Sequence, residues 1–245
     1  MSEFTTPTEK VELPSKGLVY PKESPLSSGV IEMKYMTAKE EDILMNQSYI
    51  KKGTAIDKLL KSLIVSEVDY DSMIVGDKNA VMVAARVLGY GPDYIFEYEG
   101  EEHTVDLGQL ENKPFDEKSI TPGLNEFPYT LPYSKVNITY KLLTNKDDKN
   151  ITRELEGLKR LNKDSSPEIS TKMKFMITSI EGDKDISTIR EFVDKRLLAR
   201  DSRSLRDHIK KTQPDVDLTF FPTSNSSGVN IPIGLSFFWP DFGNS

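Results

Sequence analysis

The sequence predicts an α+β fold in which one unit, strand–capped helix–helix–β-hairpin, is written twice as a tandem duplication behind an extended N-terminal arm. Three observations carry this expectation. The phrase KYMTAKEED (residues 34–42) returns as KLLTNKDDK (141–149), with Thr37 and Thr144, and Lys39 and Lys146, 107 residues apart. The segment TAIDKLLKSLIV (54–65) carries a complete helical apolar stripe. Two later stretches alternate apolar and polar residues around a polar tip, as hairpins do.

The elements follow in order. Residues 1–29 mix Pro, Gly and Ser with brief apolar touches, the vocabulary of turns and extended polar arms. Val30–Met36 supplies β-compatible bulk and ends at Thr37, with Glu40 three residues on. That spacing forms a capping box, in which the Thr hydroxyl and the Glu carboxylate satisfy the first helical amides reciprocally. Thr144 and Asp147 write a shorter version of it, and the carboxylates also suit the positive end of the helix dipole. Thr54 is the natural cap of the next helix, whose Ile56, Leu59, Leu60, Leu63 and Ile64 share one face. Asp77 is expected to cap a helix stopped by Gly89, and DYIFEYEGEEHTVDL then reads as a hairpin.

The second half repeats the order. Residues 171–183 align with 57–69 at an offset of 114 through Lys58/Lys172, Glu67/Glu181 and Asp69/Asp183. An amphipathic helix is expected through Ile186, Ile189, Val193 and Leu197. Asp201 then caps a helix carrying Leu205, Arg206 and Ile209. Pro214–Asp215 answers Pro92–Asp93, and Leu218 to Ile233 form a closing hairpin with the tip TSNSSG. The organisation expected is an arm (1–29), a first repeat (30–118), a Pro-rich linker (119–135) and a second repeat with an aromatic tail (136–245).

The composition narrows the function. A net charge of −7 over 245 residues argues against sequence-independent nucleic-acid binding, which needs concentrated basic surface. Without cysteine there is no disulfide, thiolate nucleophile or Cys-ligated metal. No signal-peptide pattern and no membrane-length apolar run occurs, so the expectation is a soluble protein with no membrane partner. Glu40, Glu41 and Asp42 are adjacent, but consecutive helical residues point around the cylinder rather than converging for acid–base work. KKGT lacks the rest of a phosphate loop, GYGP is a helix stop, and no GxSxG elbow exists. His103, at a hairpin tip, and His208, on a helix, have no spaced partners for a metal. The expectation is a protein that is not an enzyme, with no cofactor and no metal. The alternative is a hydrolase using carboxylates near Glu40 or in Glu97–Glu102, which needs two carboxyl groups facing across a groove.

The C-terminal IPIGLSFFWPDFGNS packs Phe237, Phe238, Trp239 and Phe242 around Pro240 and holds the single tryptophan. Such aromatics either anchor an interface or fold back to seal their own domain. Taken together, LPSKGLVYP, MKYMTAKEEDIL, KKGTAIDKLLKSLI and the terminal FFWP resemble the baseplate hub subunits and hub-assembly proteins of T-even-type contractile-tailed bacteriophages, over most of residues 13–242. The resemblance implies a non-enzymatic protein that forms or assembles the baseplate hub, either as a virion component or as a chaperone-like factor. It implies other hub and tail proteins as partners, the host cytoplasm during assembly, and possible oligomerisation. Related proteins carry Cys pairs in the two hairpin regions, suggestive of zinc. Here EYEGEEH and FPTSNSSGV hold none, so the metal inference lapses. Leu18 and Tyr20 in the arm, and Phe237, Phe238, Trp239 and Phe242 in the tail, are the candidate partner-contacting residues.

Overall fold

The computed structural model describes residues 6–162, 167–222 and 228–239. The chain is α+β, with eight α-helices and small antiparallel sheets among the described residues. Strands β1 (Thr8–Glu12) and β2 (Val30–Lys34) pair antiparallel, Val11 opposite Ile31. Period-two alternation turns Ile31 and Met33 inward and leaves Glu32 exposed. Helices α1 (Ala38–Met45), α2 (Gln47–Lys51) and α3 (Ala55–Leu63) follow, and Leu59, Leu60 and Leu63 bury the α3 stripe. Beyond α3 the chain extends, and Ile64 bridges Met33 at the free edge of β2. Helix α4 (Val75–Tyr90) then leads into the hairpin β3 (Asp93–Tyr98) and β4 (Glu101–Asp106). Its two-residue turn places Glu99 and Gly100 at positive φ, the geometry that matches the twist of tightly joined strands.

The second half also opens on paired strands, continues through helices and closes on a short hairpin, and it adds a third strand to its sheet. Strands β5 (Phe127–Thr130), β6 (Asn137–Tyr140) and β7 (Ile177–Ile180) form a sheet in that order, with helices α5 (Asn145–Leu161) and α6 (Glu168–Met176) between β6 and β7. Helices α7 (Ile186–Lys195) and α8 (Ala199–Thr212) and the short hairpin β8 (Thr219–Phe220) and β9 (Val229–Asn230) complete it. Tyr140 pairs with Ile177 where Met33 pairs with Ile64, so this correspondence sits at an offset of 113, one less than the residue matches suggest. The difference has a physical origin. Backbone pairing fixes the register, whereas the polar matches Lys58/Lys172 and Glu67/Glu181 lie on solvated faces.

One apolar cluster runs through both halves, from Leu13 and Leu26 to Phe238. A seam joins them: Ile74 bridges Thr144, the Val75 N–H donates to the Leu143 carbonyl (2.9 Å), and the Asn145 N–H donates to the Met73 carbonyl (2.9 Å). Two expected boundaries differ. Of the arm expected over residues 1–29, residues 8–29 are not open, because β1 is a paired strand and Leu13, Val19, Tyr20 and Leu26 behind it are buried. The stretch 119–135 contains β5 and buries Ile120 and Leu131, so it is part of the second unit's core. Helix α4 also passes through Gly89, where the Met36 side chain packs, and ends only at Gly91 with φ +84°.

Candidate partner-binding site

Two turns, LPSK (13–16) and LPYSK (131–135), bend the chain between paired strands, and each is held by a carboxylate three residues into a later helix. Lys16 and Lys135 adopt positive φ at the ends of the turns. Asp77 accepts from the Ser15 N–H (2.9 Å), the Ser15 hydroxyl (2.6 Å) and the Tyr20 hydroxyl (2.5 Å). Tyr20 Oη in turn accepts the Ile74 N–H (3.0 Å), satisfying an amide at the start of α4. Asp201 accepts from the backbone N–H groups of Tyr133 (2.8 Å) and Ser134 (3.0 Å). Neither aspartate stands at the N-cap of its helix; Ile74 and Leu198 occupy those positions. The expected local caps are long-range clamps. Burial pushes the Asp77 carboxyl above the ordinary range, and the hydrogen bonds from Ser15 and Tyr20 offset only part of this. At Asp201 burial acts in the same direction, but the hydrogen bonds from Ser134 and Tyr133 outweigh it and the carboxyl lies below its usual value.

The repeated corner is also built twice. Glu40 accepts from the Thr37 N–H (3.1 Å) and hydroxyl (2.6 Å), and its other oxygen takes Lys34 Nζ (2.8 Å) and the Ser62 hydroxyl (2.8 Å). Asp147 accepts from the Thr144 N–H (3.0 Å) and hydroxyl (2.8 Å) and pairs with Lys141 (2.8 Å). Burial raises the Glu40 pKa, yet these hydrogen bonds hold it at about 2, so Glu40 is an ionised structural acceptor and not a proton donor at neutral pH. Thr54 stands before α3, but its side chain makes no capping hydrogen bond. Its hydroxyl donates instead to the Tyr49 carbonyl (3.4 Å).

The aromatic tail closes the first unit. Phe237 and Phe238 are fully buried on a 3₁₀ turn (Ser236–Phe238). The Phe237 ring meets Tyr94 edge-on at 4.8 Å, and the Tyr94 hydroxyl donates to the Pro232 carbonyl (3.2 Å). Trp239 is partly buried against the same core, and Phe242 lies outside the described residues. Leu18 is likewise partly buried, and Tyr20 is buried on Asp77. The structure therefore brings Phe237, Phe238 and Tyr20 into internal packing and leaves only parts of Leu18 and Trp239 at the surface.

Catalytic groupings fare no better. A pocket of about 360 Å³ has Asp116, Ser119 and His208 in its lining. Yet the Ser119 hydroxyl donates to the Asp116 carbonyl (2.6 Å), the Asp116 carboxylate accepts the Lys118 N–H (3.0 Å), and His208 lies against the Tyr129 ring at 4.7 Å. Burial lowers the His208 pKa, which keeps the ring neutral at pH 7. Glu97, Glu99, Glu101 and Glu102 are exposed on the β3–β4 hairpin. Among the described residues no group of three or more His, Cys, Asp or Glu side chains is arranged to hold a metal, and no helix is long and apolar enough to cross a membrane. The surface that does stand open is a groove of about 600 Å³ between α6, α7 and α8, which no sequence motif announced. No protein-family model, curated protein or solved structure matches the chain.

Proposed function

We propose that this protein is a non-enzymatic interaction protein that forms or assembles the baseplate hub of a contractile-tailed bacteriophage. The observation that supports this is where its polar chemistry goes. Glu40, Asp77, Asp147 and Asp201, the carboxylates a catalyst would recruit, each hold a turn or a helix start in place. The phrases that carry the resemblance to hub proteins are the same ones, LPSKGLVYP closing on Asp77 and MKYMTAKEEDIL closing on Glu40. The partners are other hub and tail proteins, met in the host cytoplasm during tail assembly.

The test is affinity purification of the tagged full-length chain from infected cells during tail assembly, with the captured proteins identified by mass spectrometry. Stoichiometric capture of hub and baseplate proteins supports the reading; capture of none overturns it. We further infer that the two units descend from one duplicated segment, supported by the paired corners and clamps. Across homologues, the first half of one protein should then align with the second half of another; halves without such cross-similarity contradict the inference.

A further inference from the structure

The seam between the two units shows what fills the groove beside a clamped helix start. In the first unit the start of α4 is covered: Met73 and Ile74 are buried beneath the second unit's corner, and Gly76 against Pro214. The filling piece is residues 144–149, the beginning of α5. Besides the two backbone hydrogen bonds and the Ile74–Thr144 bridge, the Asn145 amide donates to the Tyr70 carbonyl (2.8 Å), and Lys149 reaches Asp71 (2.7 Å) and Asp57 (3.1 Å).

Each half of that contact recurs elsewhere in the chain without a partner segment. At the start of α8, Leu197, Leu198 and Ala199 stand where Met73, Ile74 and Val75 stand at α4, and Leu198 is 48% exposed. Beside them lies the open groove, lined by Ile169, Met173, Val193, Leu197, Ala199 and Ser202. The Ser202 hydroxyl is buried in its wall with no hydrogen-bond partner, a group such a site leaves for an incoming donor or acceptor. At the opposite end of the chain the matching plug is open at one telling position: Ala38 is exposed where its counterpart Asn145 is buried in the seam, while Glu40, like Asp147, is buried by its own capping box.

We propose that this groove receives the helix start 37–42 of a second copy of the chain, so that copies associate head to tail. The groove's lining carries one cation, Arg206, and one carboxylate, Glu168; Lys195 stands beside it, paired within its own helix with Glu191 (3.3 Å), and the plug carries Glu41 and Asp42. At the position of Asp71 in the seam stands Lys195, and at the position of Lys149 stands Asp42, so the central ion pair recurs with its sign reversed. A copy that used its own plug in its own groove would have no need of opposite ends; a heterologous contact of this kind propagates into a ring or a filament. Gly76 approaches the Pro214 carbonyl so closely that a Cβ would sit 1.9 Å away, and at the matching position stands Arg200, over the Tyr133 ring (5.5 Å). This inference stands independently of the hub assignment.

The experiment is sedimentation velocity of the full-length chain over a wide concentration range, with Leu198→Asp, Asp42→Lys and Lys195→Asp variants whose circular dichroism matches the parent. The parent should form dimers and larger species as concentration rises. Leu198→Asp and Asp42→Lys should each weaken association about tenfold or more, and Asp42→Lys with Lys195→Asp should restore much of it. A mixture of Leu198→Asp with Asp42→Lys chains should stop at a one-to-one dimer, because each retains one competent end. A parent that stays monomeric throughout, association indifferent to Leu198→Asp, or a symmetric dimer cross-linked 198 to 198 overturns the proposal.

Discussion

Replacing Asp77 by Ala removes three hydrogen bonds from the centre of the first unit. The Ser15 N–H and hydroxyl and the Tyr20 hydroxyl all terminate on this carboxylate, which is completely buried. A buried donor left without an acceptor costs about 1–3 kcal/mol. Not every donor loses equally. The Ser15 hydroxyl already receives the Gly17 N–H (3.1 Å) and can turn towards another acceptor, and Tyr20 still accepts from Ile74, whereas the Ser15 N–H is fixed by the backbone. The loss of the charge, which burial disfavours, offsets part of the cost. The net destabilisation is about 3–5 kcal/mol. With a urea m-value near 3 kcal/mol per M for a chain of this size, the midpoint should fall by roughly 1–2 M. Asp77→Asn, neutral and of the same shape, should cost less than Asp77→Ala. Asp201→Ala removes two hydrogen bonds where Asp77→Ala removes three, both from backbone N–H groups, so its cost should be smaller, about 1–3 kcal/mol. Asp77→Ala unfolding at the parent's urea midpoint, or costing less than Asp201→Ala, would refute the clamp argument.

Three further outcomes follow from the packing and the charges. Glu40 has its folded pKa depressed from 4.5 to about 2, so its stabilising contribution is complete above the unfolded value and is lost as pH falls from about 5 through 2. Glu40→Gln should therefore cost about 3 kcal/mol at pH 7 and much less at pH 2.5, seen as a flatter acid limb in stability against pH. Phe237→Ala should lower stability by about 3–5 kcal/mol in the isolated chain, measured by urea unfolding, because the ring is fully buried against Tyr94. Gly76→Ala forces a methyl onto the Pro214 carbonyl and should cost about 1–3 kcal/mol by thermal melting, since backbone must move to admit it.

The local grammar of the fold was legible in the sequence; its long-range grammar was not. The α3 stripe, the two capping boxes and the β3–β4 hairpin depend on residues within a few positions of one another, so spacing alone reveals them. Asp77 and Asp201 were misread as N-caps because an acidic residue near a helix start has the same local signature whether it caps its own amides or clamps a turn more than 60 residues away. The segment 13–29 was misread for a related reason. Pro, Gly and Ser describe a chain that bends often, and the same letters serve an open arm and a folded loop. Only the tertiary contacts of Leu13, Val19 and Leu26 tell the two apart. The aromatic tail offered both an interface and a core seal, and Phe237 and Phe238 take the second role in this fold. The groove between α6, α7 and α8 left no sequence trace, because its lining comes from three helices with ordinary amphipathic patterns. Its likeness to the seam becomes visible only when Leu198 is compared with Ile74 in place.

The most direct test of the functional account is an amber mutation in the gene encoding this chain, with the products of non-permissive infection viewed by electron microscopy. The account predicts filled heads accumulating beside few or no complete baseplates and tails, with assembly restored when purified full-length chain is added to the lysate. Normal tails with attached baseplates in the absence of the protein would contradict it.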